Sequence, residues 1–236
     1  MNEMSNLAEL LGADIEKVRV GIGSDSRIGY EFIYPGCGFG GSCFPKDLRS
    51  ISFMAKEKNY CSPLIDAVQH VNENQKKVIF KKIHRYFGLD IQGLTFAIWG
   101  LSFKPNTDDI REAPSLKIIN LLCDAGANVR VYDPMAMDDA RKYFKDKKIA
   151  EKIYFSENSE DALFESEALI ILTEWMEFRS PDYNKIKEKL RTPVIFDGRN
   201  ILNLDTAKDY GIKVFCIGRG NNFAYKKIKS LELEYL

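Results

Sequence analysis

The chain carries no net charge: 34 Lys and Arg balance 34 Asp and Glu among 236 residues. That balance gives no argument for a nucleic acid or a membrane surface as a partner. It has two histidines, His70 and His84, and its five cysteines, Cys37, Cys43, Cys61, Cys123 and Cys216, are odd in number, scattered and without a CxxC pair. Those shortages argue against a metal site, and the cysteines fit reduced thiols in a cytoplasmic protein. No apolar run approaches the ~18 residues of a membrane helix. The first residues, with no basic segment leading into an apolar one, do not read as a secretion signal. Internal repeats and low-complexity tracts are also missing. What remains is a 45% hydrophobic, 29% charged chain. That is enough apolar material for one large domain or two modest ones.

Apolar spacing divides the chain in two. Leu7, Leu10 and Leu11 recur at helical spacing from the start, and Asp14 reads as the N-cap of a second helix. A third helix, residues 45–58, carries Leu48, Ile51, Met54 and Ala55 on its inward face. Ser62-Pro63 opens a long helix reaching Phe87, whose polar middle (residues 72–77) is expected to bridge two domains or face solvent. Beyond Gly88 short apolar runs at 95–99, 129–132, 169–172, 194–196 and 214–217, with a possible further strand at 152–155, alternate with helical stretches. That alternation predicts a doubly wound parallel sheet. The expected α/β architecture is therefore a helical region with a long connecting helix over 1–90, a Rossmann-like domain over 91–220, and a tail over 221–236 to which no function is assigned.

The densest chemical signal is Gly36-Cys37-Gly38-Phe39-Gly40-Gly41-Ser42-Cys43-Phe44-Pro45-Lys46-Asp47. A glycine loop delivers Cys43 to a helix start, where the helix dipole and a cation such as Lys46 favour a thiolate. Asp47 follows one helical turn later, on the same face. A covalent nucleophile with an attendant acid/base is one reading. A buried, inert cysteine in an ordinary glycine turn is the other.

In open α/β sheets, ligands sit beyond the carboxyl ends of the strands. The turn after the first strand, residues 100–115, has no GxGxxG fingerprint but offers Lys104 and Arg111, and a later turn, residues 197–200, adds Arg199. These cations suit phosphate or carboxylate, or are solvated surface charges. Asp133 occupies the place of a ribose-binding acid or of an ordinary Asp-Pro turn.

The strings GIGSDSRIG (21–29), GGSCFPKD (40–47), GLSFKPNTDDIREAPS (100–115), VYDP (131–134), LTEW (172–175) and DGRN (197–200), with Asn2-Glu3-Met4, make the chain resemble the UDP-glucose 6-dehydrogenases of the UDP-glucose/GDP-mannose dehydrogenase superfamily. GGSCFPKD and FKPNTDD are the most specific of these strings. The resemblance implies a central helical part and a C-terminal UDP-binding part. It places the NAD-binding Rossmann domain, the acid/base glutamate, and a lysine and an asparagine upstream of Asn2. The chain is therefore expected to be a C-terminal fragment or one piece of a split protein.

The resemblance also implies a reaction: NAD-dependent two-step oxidation of UDP-glucose to UDP-glucuronate. Cys43 resembles the nucleophile that carries the aldehyde as a thiohemiacetal and then a thioester, and Asp47 the residue managing the proton and the hydrolytic water. Phe32, Ile33, Tyr34, Gly36, Gly40 and Phe44 resemble the segment wrapped round the sugar and uridine. Phe103, Lys104 and Arg199 resemble substrate contacts, and Lys46 and Arg111, with Cys43 itself, contacts to NAD. Arg27 resembles an arginine that reaches the substrate of the neighbouring subunit, which implies a homodimer through the helical region. GDP-mannose oxidation is the sister activity. A nucleotide-sugar-binding and dimerisation module without turnover is the alternative for this chain by itself. Cys37 reads as a small apolar filler, with a redox partner for Cys43 as the other reading.

Overall fold

A computed structural model describes residues 1–220. Four helices come first: α1 (Asn2–Leu10), α2 (Ile15–Gly23), α3 (Phe44–Glu57) and α4 (Pro63–Gln75). The Asp14 carboxylate accepts from the Glu16 amide and starts α2, as a residue capping an otherwise unpaired N–H should. Proline sits in the first turn of both α3 and α4, where its missing N–H costs nothing. The tail at 221–236 lies outside the described residues.

The long helix expected over 64–87 is two helices, α4 and α5 (Val78–Phe87). At the junction the Lys77 amide donates three residues back to Asn74, and four-residue bonding resumes when Lys81 donates to Lys77. One tightened turn thus separates halves with different neighbours. α4 packs on α1 and α3, whereas α5 lies on the sheet and on α6 (Pro114–Asp124). The polar middle does not face solvent throughout: Asn72, Gln75 and Lys76 are buried. The inward face expected for the third helix also differs. Ile51 and Met54 are about half exposed, and Pro45 and Ser52 are the buried positions of α3.

The second half alternates β1 (Thr95–Trp99), α6, β2 (Asn128–Tyr132), α7 (Met137–Phe144), β3 (Ile153–Phe155), α8 (Ser159–Leu163), β4 (Ala168–Ile171), α9 (Tyr183–Lys189), β5 (Val194–Asp197), α10 (Leu204–Asp209) and β6 (Lys213–Cys216). The six strands are all parallel, in the order β3-β2-β1-β4-β5-β6. This is the doubly wound arrangement expected from the alternation. Both faces are covered, which is why β4 and β5 are buried along their whole length. Ile98, Phe96 and Phe196 point into one apolar cluster with Ile79, Phe80 and Ile83 of α5, while Ala97, Leu169 and Ile195 join a second cluster on the opposite face.

The strand order reverses between β1 and β4, and the turns after β1, β4 and β5 open side by side at that point. Each is tied to its neighbour. Gly100 N donates to Tyr132 O (2.8 Å), Leu172 N to Trp99 O (2.9 Å), and Gly198 N to Ile171 O (2.9 Å). The helical half meets the sheet at this edge.

Candidate functional site

The glycine loop is wedged between the strand-end turns and α4. The Cys37 amide donates to Gly198 O at 2.8 Å and the Gly41 amide to Arg111 O at 2.8 Å, so both turns grip it. A Cβ on Gly40 would meet Glu112 O at 2.4 Å, and one on Gly41, which sits at φ +94°, would meet the Phe103 ring at 2.9 Å. No residue but glycine fits this approach. Gly36, Gly38 and Gly41 have the spacing of a dinucleotide fingerprint, yet no strand leads into them and the protein itself fills the space around them.

On its other side the loop meets the buried polar residues of α4. Asn72 clasps Phe39 at both ends of its amide: Phe39 N donates to Oδ1 (2.9 Å), and Nδ2 donates to Phe39 O (3.1 Å). Gln75 Nε2 donates to Gly36 O at 2.7 Å, and Gly36 N donates to Asn2 Oδ1 at 3.0 Å. Lys76 Nζ pairs with Glu112 (3.3 Å) and Glu73 (2.8 Å), and Arg49 reaches the same Glu112 at 3.0 Å. Partial burial pushes the Glu112 carboxyl up. Its bonds to Arg49 and Lys76 outweigh that and hold it below the ordinary 4.5.

Cys43 is exposed and caps the start of α3. Asp47 N donates to Cys43 O at 2.8 Å in the first turn, which sets the two residues one turn apart as expected from their spacing. The Asp47 carboxylate pairs with Lys46 at 3.3 Å, both side chains being exposed. The neighbours of Cys43 face different clefts. Ser42 lines one of about 630 Å³ with Lys46, Arg49, Arg111 and Lys117. Phe44 lines another of about 820 Å³ with Gly36, Gly38, Phe39, Asn72 and Arg199. The residues on either side of Cys43 thus line two clefts, one of them rich in Lys and Arg.

Arg199 is held from below. Asp197, fully buried, accepts from Arg199 N (3.0 Å), Ile201 N (2.8 Å) and Leu202 N (2.9 Å), which folds the turn. Burial pushes the Asp197 carboxyl up despite those three N–H donors. Arg199 Nε donates to Leu172 O (2.8 Å), Nη1 donates to Gly38 O (3.1 Å), and Glu174 lies 3.3 Å from Nε. Nη2 is buried with no protein partner. A buried guanidinium nitrogen left unpaired is costly; Glu174 Oε2 beside the same guanidinium also lacks a hydrogen-bond partner, and Arg199 lines the second cleft, where an anion is a candidate partner.

The remaining expected site residues are placed less closely. Phe103 packs beneath Gly41, and exposed Lys104 sits 5.4 Å from the centre of that ring. Phe32 is 98% exposed at φ +61°, a left-handed conformation uncommon for a side-chain-bearing residue. Ile33 is half-buried, and the exposed Tyr34 ring lies under Arg19 at 4.6 Å. Arg111 bonds Asp109 through Nε (2.9 Å) and Nη2 (2.8 Å). Arg27 is 87% exposed and forks onto Asp25, away from the loop contacts. Cys37 is fully buried in the core against Gly198, and burial pushes its thiol up.

The ribose-acid reading of Asp133 fails. One carboxylate oxygen accepts from Leu101 N, Ser102 N, Ser102 Oγ and Trp175 Nε1, the other from Met135 N and Ala136 N. With both oxygens fully engaged, Asp133 ties together the turns after β1, β2 and β4. Residue patterns missed Asn72, Gln75, Lys76 and Glu112 because their partners are backbone atoms and charges far away in sequence. The one signal available was an Asn-Glu-Asn-Gln run inside a helix that otherwise needed an apolar face.

Comparison with known proteins matches residues 97–204 to the UDP binding domain of the UDP-glucose/GDP-mannose dehydrogenase family and residues 1–74 to its central domain. The chain is 42% identical over 219 residues to the UDP-glucose 6-dehydrogenase of Pseudomonas aeruginosa, covering 93% of this chain and 48% of that protein. It is 39% identical over 240 residues to UDP-glucose 6-dehydrogenase TuaD of Bacillus subtilis, covering 100% of this chain and 51% of that one. A solved UDP-glucose dehydrogenase from Pyrobaculum islandicum superimposes with a TM-score of 0.80 at 33% identity, over 93% of this chain and 47% of that structure. The chain thus spans about half the length of the curated relatives it matches.

Proposed function

Since the chain belongs to the UDP-glucose/GDP-mannose dehydrogenase family, we propose that it supplies the nucleotide-sugar site and the thiol nucleophile of a UDP-glucose 6-dehydrogenase. One observation carries this reading: an exposed cysteine at a helix start is flanked by residues lining two clefts, and Arg199, which has a buried nitrogen without a partner, lines the second.

In this reading the diphosphate of UDP-glucose pairs with Arg199 Nη2, and the sugar lies along the loop from Gly36 to Gly40 toward Cys43. Lys104 and Phe103 close the nucleotide end. Arg27 serves a second subunit. NAD is assigned to the cationic cleft, where Lys46 and Arg111 would hold its phosphates, and it would supply a hydride acceptor. The work of this chain is on sulfur. The Cys43 thiolate adds to the C6 aldehyde, forming a C–S bond as the carbonyl oxygen takes a proton. After the second oxidation the carbon is a thioester, which water cleaves to the uronate, returning the proton to the thiol. Asp47, one turn along α3, holds the hydrolytic water and takes its proton.

The test uses the protein in its native form, with whatever its gene encodes beside this chain. NADH formation from UDP-glucose and GDP-mannose is compared, with Cys43→Ser beside the parent. The expected result is turnover of UDP-glucose and loss of uronate release in the variant. Turnover of GDP-mannose alone overturns the substrate assignment, and full uronate yield from Cys43→Ser removes the nucleophile. This chain purified by itself is expected to give no NADH.

A further inference from the structure

The buried amides of α4 have no part in the scheme above, yet they make the most specific contacts in the helical half. Asn72 and Gln75 lie three residues apart on α4 and bond two loop residues also three apart, Phe39 and Gly36. An α-helix rises ~4.5 Å over three residues, so one face of α4 meets a short stretch of loop. Asn72 satisfies both backbone groups of Phe39, the two-bond match of a strand neighbour. Gln75 is itself oriented, since Asn6 Nδ2 donates to its Oε1 at 2.9 Å. Both side chains are nearly inaccessible.

The loop passes this order on. Gly38 O, between the two clasped residues, accepts from Arg199 Nη1 at 3.1 Å, and the neighbouring Cys37 amide holds Gly198 O. Phe39 packs on Phe44, the residue after Cys43, with ring centres 4.6 Å apart. A shift at residues 36–39 therefore reaches Arg199 on one side and the start of α3 on the other.

We propose that Asn72 and Gln75 are positioning residues. By fixing the backbone of residues 36–39, they aim Arg199 Nη2 at the nucleotide-sugar phosphates and hold the Cys43 end of the loop against the sugar. This rests on the proposed function for the identity of the ligand, though not for the clamp. Neither side chain transfers a proton or contacts the reacting carbon.

The experiment uses this chain with Cys61→Ser, which leaves Cys43 the exposed cysteine among the described residues. Asn72→Ala and Gln75→Met are compared with the parent by UDP calorimetry, by alkylation of Cys43 with iodoacetamide with and without UDP-glucose, and by hydrogen exchange at residues 36–41. All are run well below each thermal midpoint. The expected result is about a tenfold loss of UDP affinity, loss of UDP-glucose protection at Cys43, and about tenfold faster exchange confined to the loop. A purely structural role lowers the midpoint and leaves UDP affinity in the folded protein unchanged. UDP affinity within twofold of the parent, in either folded variant, overturns the proposal. If Asn72→Ala does not fold, Gln75→Met decides. A folded parent that binds no UDP overturns the proposed function instead. The loop exchange rates then decide the clamp, with parent-like exchange in the variants refuting it.

Discussion

The two halves of this protein are held by different forces. In the sheet half most buried residues are apolar, chiefly Ile, Leu, Val, Phe and Ala, in one cluster on each face of the strands, with buried polar groups such as Asp133 and Asp197 at the strand ends and the turns that follow them. In the helical half Leu7, Leu10, Val20, Ile51, Phe53 and Leu64 lie exposed, while Ser5, Ser52, Asn72, Gln75 and Lys76 are buried. Apolar burial is strong but indifferent to angle, and it makes a rigid platform. Buried hydrogen bonds and ion pairs demand direction, and they fix where a loop lies. The sheet half thus provides strand-end turns with little freedom, and the helical half presses a glycine loop against them.

Four experiments bear on that contrast. The largest effect belongs to the platform: Phe196→Ala removes a ring stacked 5.3 Å from Phe215 and should cost ~3–5 kcal/mol. Denaturant unfolding measures it, and a loss under ~1 kcal/mol would mean the core is not close-packed. Next is the deepest ion pair of the helical half. Lys82, on α5, is buried and bonds Glu9 of α1, which also accepts from Gly218 N at 3.2 Å. Burial pushes the Lys82 ammonium down, against the pull of Glu9. Lys82→Met should destabilise by ~3 kcal/mol because it strands Glu9, and Glu9→Leu added to it should restore part of the loss. Two additive losses would show that the pair is not a unit.

Gly40→Ala comes third. Its methyl would press on Glu112 O, and relieving that overlap should cost ~1–3 kcal/mol. UDP affinity should fall more than the thermal midpoint suggests, and an unchanged affinity would detach the loop from the ligand site. The smallest effect is electrostatic. Glu112 titrates below 4.5 when folded, so its pairing with Lys76 and Arg49 contributes above that value and is lost as pH falls through the folded pKa. With its side chain 36% exposed, the contribution is under ~1 kcal/mol. Stability measured from pH 6 to pH 3 should drop less steeply in Glu112→Gln than in the parent. Parallel curves would mean that the ion pairs add nothing.

The sheet half was legible because each buried strand is an apolar run bounded by turns, and parallel strands joined by helices have few topologies. The doubly wound parallel sheet followed from that pattern, while the order of the strands and the reversal between β1 and β4 came from the fold itself. The helical half was read less well. Ile51 and Met54 have core spacing but lie half exposed, since periodicity shows that a face is apolar and not what covers it. Asn72 and Gln75 read only as part of a segment that bridges two domains or faces solvent, because amides are usually wet and their partners are backbone groups 33 and 39 residues away. Asp133 matched a ribose acid by position alone. Its six donors come from turns that meet only after folding.

The sequence alone determined the α/β class, the family strings, the place of Cys43 at a helix start, and Asp47 one turn beyond it. These depend on local spacing, and local spacing survives in any fold. Tertiary structure decided that the long helix tightens at Lys77, that Asn72 and Gln75 grip the loop, that Asp133 is structural, and that Arg199 keeps one nitrogen unpaired beside a cleft. Those outcomes depend on which distant groups satisfy each buried donor and acceptor. A chain can make that assignment only by closing on itself.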